Sequence, residues 1–185
     1  MANVHDVAQF FIGLANEQAN NEQGDMMTNL RLQKLLYFAQ GWHLARYGKP
    51  LFDDDIEAWQ YGPVVPSVYN AYKQYGTGGI AGALPDTDAF TQDEFSLLLD
   101  VIREYDKFGT SSLVNMTHKT GSPWSLVGGH GVIPRDLIRS CFDAERPLTS
   151  FADVEMEADV CTPQRDENGA AIIPADFAEG WDDDD

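Results

Sequence analysis

Apolar residues recur at helical spacing from the start of the chain, where Val4, Val7, Phe11 and Leu14 predict a first helix over about His5–Asn16. "NEQANNEQGD" ends it with amides and a glycine. A stronger pattern follows, in which Leu32, Leu35, Leu36, Ala39, Trp42 and His43 share a face. Thr28 or Asn29 caps this second helix, and Gly48 with Pro50 stops it. The period then changes to two. In "PLFDDDIEAWQYG", Ile56 and Ala58 lie opposite Glu57 and Trp59, which marks a short extended segment. A third helix runs from Pro66 to Tyr75 and closes at Gly76, its proline suited to the first turn, where no intrahelical acceptor awaits an N–H.

A glycine-rich connector, "GTGGIAGALPDTDAF", leads to "TQDE", a capping-box signature in which Thr91 and Glu94 satisfy each other's end of the helix. Phe95, Leu98, Leu99, Ile102 and Tyr105 form the apolar stripe behind it, and shorter helices are expected over Ser111–His118 and Pro134–Phe142. Past residue 144 the pattern alternates strictly: Val154, Met156, Ala158 and Val160 against Glu155, Glu157 and Asp159. That predicts a strand with an acidic outer face, with "AAIIP" as its returning partner. Beyond that strand, Ile173, Phe177 and Trp181 recur four residues apart, which aligns them on one helical face after Pro174. The expected fold is predominantly α. It comprises a compact helical domain over residues 1–144 with a small β element, then an acidic β-hairpin extension over 145–185, giving α+β overall.

Charge narrows the function. Thirty acidic residues face twelve basic ones, a net charge of −18, and residues 145–185 alone carry 13 acids against 2 bases. A phosphate backbone would meet the wrong sign, so direct nucleic-acid binding is not expected; a basic protein surface is the better match. No apolar run approaches the roughly 18 residues of a membrane span. Asn3, His5 and Asp6 interrupt any leader, and Cys141 and Cys161 form no CxxC pair. A cytoplasmic, reduced protein is expected.

Chemistry is sparse. His5, His43, His118 and His130 form neither HxxxH nor HExxH, and the spacing of His118, His130 and Cys141 matches no familiar zinc pattern. The glycine-rich stretch lacks the Lys-Ser/Thr pair of a phosphate loop, and Asp53, Asp54 and Asp55 read as a solvated turn. No enzyme activity, metal or cofactor is expected.

One stretch invites a partner instead. In "AWQYGPVVPSVY", Gly62 permits a turn while Pro63 and Pro66 fix φ, which stiffens a corner carrying several aromatics. Rigid aromatics lose little entropy on binding, so Trp59, Tyr61, Pro63, Val64, Tyr69 and Tyr72 are candidate partner contacts. The competing expectation is that Trp59 and Tyr69 pack against Trp42 and Tyr37. Glu155, Glu157, Asp159, Phe177 and Trp181 form a second candidate set: apolar anchors with a block of carboxylates, suited to a cleft built for phosphates.

The segments "LQKLLYFAQGW" and "YGPVVPSVY", followed by "SLVNMTHKTGSPW" and "VIPRDLIRSCF", closely resemble the Panacea, or SocA-like, antitoxin domain, also seen in phage-associated GepA-type proteins. The likeness spans roughly residues 5 to 143. It implies a helical, non-enzymatic domain that neutralises a co-encoded protein toxin by direct contact, as in type II-like toxin–antitoxin pairs and phage defence. The implied partner is a protein toxin, such as an alarmone synthetase or another nucleotide- or RNA-acting protein, and the acidity of this chain suits a basic one. Some family members instead act as adaptors that deliver a toxin to a protease, and a phage-borne inhibitor is a further alternative. No segment is long and basic enough for the helix-turn-helix that some members carry.

Overall fold

A computed structural model describes residues 1–21, 24–85 and 87–143. The alternating segment, its returning strand and the candidates Glu155, Glu157, Asp159, Phe177 and Trp181 lie outside the described residues. Seven α-helices and one antiparallel pair of strands make up the rest: α1 (Val4–Asn20), α2 (Asn29–Tyr47), β1 (Glu57–Trp59), β2 (Gly62–Val64), α3 (Pro66–Tyr72), α4 (Gln92–Tyr105), α5 (Thr110–Thr117), α6 (Pro123–Leu126) and α7 (Arg135–Asp143). The expected predominance of helix with a small β element is what the described chain adopts.

Helix α2 is the hub. Its ends are those its sequence dictates: the Thr28 side chain accepts from Arg31 N, and Gly48, with φ 67°, closes the helix in the left-handed region. Its burial differs from the expected single face. Every residue from Leu32 to Leu44 is buried, because α1, α3, α4, α5, α7 and β2 pack around it. Polar positions are therefore drawn inside. Gln40 Oε1 accepts from Leu51 N (2.8 Å) and Phe52 N (3.3 Å), while its Nε2 donates to Phe52 O (3.0 Å), which fastens the chain after Gly48 back onto the helix.

The α2–α7 contact is aromatic. Phe142 sits edge-on to Tyr37, Phe38 and Trp42, and Phe38 stacks on Tyr105 of α4 at 4.0 Å. Trp42 Nε1 donates to the Tyr105 hydroxyl at 3.0 Å. Gly41 makes room for this, since a Cβ there would lie 2.5 Å from the Phe142 ring. Trp42, Leu35, Leu36 and Phe38 are core residues.

Helix α4 carries the expected capping box, with both Thr91–Glu94 bonds present. Its buried face is Leu97, Leu98, Val101 and Tyr105, while Leu99 is exposed and Phe95 and Ile102 flank the core. The expected stripe was thus rotated by about one residue. Helix α3 ends at Tyr72 and tightens into a 3-10 turn over Lys73–Tyr75 before Gly76. The glycine-rich connector is not a loose tether: Ile80 is fully buried, its N–H donates to Met27 O, and Gly82 O accepts from Asn16 Nδ2. No helix among the described residues is long and apolar enough to cross a membrane.

A candidate partner-binding hairpin

Strands β1 and β2 pair with Trp59 opposite Gly62 and Ala58 opposite Pro63, leaving Gln60 and Tyr61 as the turn. Residues 131–133 run along the far side of β1, where Ala58 N donates to Gly131 O and Ile133 N to Ile56 O, both at 2.8 Å. Because Ala58 spends its N–H on that side, its pair with Pro63 falls where the hairpin needs no bond between them. A residue without an N–H is tolerated there, and its carbonyl points out of the ladder.

That carbonyl meets Lys34. The lysine Nζ donates to Pro63 O at 2.9 Å from a fully buried position in α2. No carboxylate pairs with it among the described residues, and burial alone pushes its amine down to about 7. Neighbouring side chains secure the chain that follows β2. Gln33 Oε1 accepts from Val65 N (2.9 Å), Gln33 Nε2 donates to Asn29 Oδ1 (3.0 Å), and Asn29 Nδ2 donates to Tyr69 O (3.2 Å).

The turn is held from α5 and α6. Trp124 Nε1 donates to Trp59 O at 2.8 Å. The His118 ring nitrogens lie 2.8 Å from Val114 O and 3.2 Å from Gln60 O, and the ring meets Trp124 edge-on at 3.9 Å. Gly62 is squeezed between these supports. Its φ is 101°, and a Cβ would lie 2.6 Å from Thr117 Oγ1 and 2.8 Å from Lys34 Nζ. Glycine is required there on both counts.

The candidate contacts divide accordingly. Pro63 and Val64, expected as surface anchors, are both buried, because β2 lies against α2 and α5; this corrects the expectation that they present themselves to a partner. Trp59, Tyr61, Tyr69 and Tyr72 are half-buried and stay at the surface. Trp59 and Tyr69 pack on each other edge-on at 4.9 Å, and Trp59 Nε1 donates to Glu57 Oε2 at 2.8 Å. Tyr72 leans on Tyr75, and burial raises the hydroxyl pKa of both Tyr69 and Tyr72.

His118, His130 and Cys141 each make a contact of their own. His130 Nδ1 lies 2.9 Å from Gly128 O and Cys141 Sγ donates to Gly121 O, while His118 supports the turn. No group of three or more potential metal ligands is clustered among the described residues. Asp54 accepts from Ser67 Oγ and Asp53 pairs with Arg135, so two of the three consecutive aspartates pin the approaches to the hairpin. The sequence pattern passed over Asn29, Gln33 and Lys34. Their signal was three polar residues in a helix too apolar to leave a solvated face.

Residues 32–125, which include Lys34, the whole hairpin, His118 and Trp124, match the family model described as antitoxin SocA-like, Panacea domain. The chain belongs to this family. It is 33% identical over 112 residues to Antitoxin SocA of Caulobacter vibrioides (strain NA1000 / CB15N), an alignment covering 55% of this chain and 60% of that relative's length. No solved structure matches the chain. The segments "LQKLLYFAQGW" and "SLVNMTHKTGSPW" of this Panacea domain are far apart in sequence, yet they meet at one place. Lys34 and Gln33 come from the first, His118 and Trp124 from the second, and all four hold the backbone between Trp59 and Val65.

Proposed function

We propose that this chain is an antitoxin that neutralises a protein toxin by direct contact, without turnover of its own, and that the outer side of the hairpin meets the toxin. Trp59, Tyr61, Tyr69 and Tyr72 supply the contact surface. The observation that carries this is the number of independent supports beneath so small an element: a lysine, a glutamine, a histidine and a tryptophan all grip the backbone of residues 59–65. A hairpin fixed in this way loses little entropy on binding, and its aromatics bring large area at small rotamer cost. Family membership supports the antitoxin role. The net charge of −18 suits a basic toxin, and the acidic residues 145–185 are proposed to add to that attraction and to the choice of toxin.

Co-expression with the toxin gives the test. Growth should be rescued by the parent chain, and the toxin should remain intact at its usual half-life while inactive. Rescue accompanied by rapid, protease-dependent loss of the toxin would instead make this chain a proteolytic adaptor.

A further inference from the structure

We infer that Lys34 is a positioning residue for the hairpin, retained at the expense of fold stability so that residues 59–65 keep the shape a partner recognises. This rests on the reading of the hairpin as the partner surface and assigns the residue that shapes it.

The reasoning starts from cost. Lys34 is 0% exposed, and among the described residues its ammonium donates to Pro63 O alone. An ammonium brought out of water without a carboxylate forfeits hydration that one carbonyl does not return, and apolar residues of similar volume in such places are often neutral or stabilising. Burial accordingly lowers its pKa to about 7. A helix serving only the core would therefore do better with a methionine or leucine here.

What Lys34 supplies is direction. Pro63 has no N–H and sits at a site without a ladder bond, so its carbonyl is the one backbone group of β2 that nothing in the sheet can orient. The lysine fixes it from below. Its Nζ also lies against Gly62, sharing that space with Thr117 Oγ1, so the positive φ of Gly62 and the lysine's reach define one conformation together. Gln33, the preceding residue of the same helix, holds the next amide, Val65 N. One turn of α2 thus sets the exit of the hairpin, while His118 and Trp124 set its turn.

The test compares the parent with Lys34→Met and, as a second apolar filling, Lys34→Leu, using the full chain. Thermal unfolding should occur at the same or a higher temperature in at least one variant. Hydrogen exchange at Gly62, Val64 and Val65 should be about tenfold faster or more, the size expected from losing one buried hydrogen bond, while amides of α2 and α4 keep their protection. Rescue of growth against the toxin that the parent neutralises should fail. Unchanged exchange in the hairpin would overturn the role assigned to Lys34, as would failure of both variants to fold, since the lysine is held here to cost stability. A loosened hairpin with undiminished rescue would leave the positioning role standing and remove the hairpin from the partner surface.

Discussion

The Lys34 amine is held near 7 by burial, against about 10.5 in an exposed chain, and this gives the protein a stability that depends on pH. The sign follows from proton counting. Between those two values the unfolded chain binds the proton and the folded chain does not, so stability rises with pH. The gain is complete above the unfolded value and is lost as pH falls through the folded one. Denaturant unfolding from pH 7 to 9.5 should show a slope of up to about 1.4 kcal/mol per pH unit from this residue. Lys34→Met should flatten it. The upper limit matters because Tyr69 and Tyr72 are raised by burial, and above about pH 10 their ionisation favours the unfolded chain, reversing the trend. Gly62 is the other residue on which the corner depends. Its conformation was legible from the sequence as a turn requirement, but the side chains that crowd it, Thr117 and Lys34, come from segments that no local pattern connects to it.

At the scale of elements, the contact of α2 with α7 turns on a glycine in the middle of a helix. Gly41→Ala ordinarily favours a helix, yet here the added methyl would meet a Phe142 ring already enclosed by Tyr37, Phe38 and Trp42. Overpacking should prevail, and a loss of about 1–3 kcal/mol in stability is expected from denaturant melts. Much of this architecture could be read from the chain. The Thr28 and Gly48 ends of α2, the Thr91–Glu94 capping box and the alternation of Ile56 and Ala58 with Glu57 and Trp59 are local signals, and all are present. What could not be read was which way residues face once several elements surround one helix. Periodicity marked one face of α2, whereas six neighbours bury it all round, Lys34 included. In α4 two candidate stripes differ by one residue, and only packing chooses Leu97 and Val101 over Leu99. β2, three residues reading Gly-Pro-Val, is too short to show alternation, so Pro63 and Val64 looked like surface. Helix α6, at four residues, gave no periodic signal either, although it carries Trp124.

For the whole molecule the governing quantity is charge. A net of −18 with 13 acids in residues 145–185 creates a field that draws a basic partner, and such fields act mainly on the association rate. Truncation after Pro174 removes six of those acids while keeping every described residue. Association with the toxin should become slower at low ionic strength, and its dependence on salt weaker, as screening leaves less to lose. An unchanged rate and salt dependence would remove the tail from the encounter. The central claim concerns the hairpin itself, and the affinity of the toxin for Tyr61→Asp tests it most directly. Tyr61 lies in the turn, half-buried, on a backbone fixed from below by Lys34, His118 and Trp124. Measured by titration calorimetry with the melting temperature of the variant checked against the parent, binding should weaken by about 30-fold or more, as for a hot spot of roughly 2 kcal/mol. A folded variant that binds the toxin as tightly as the parent would contradict it.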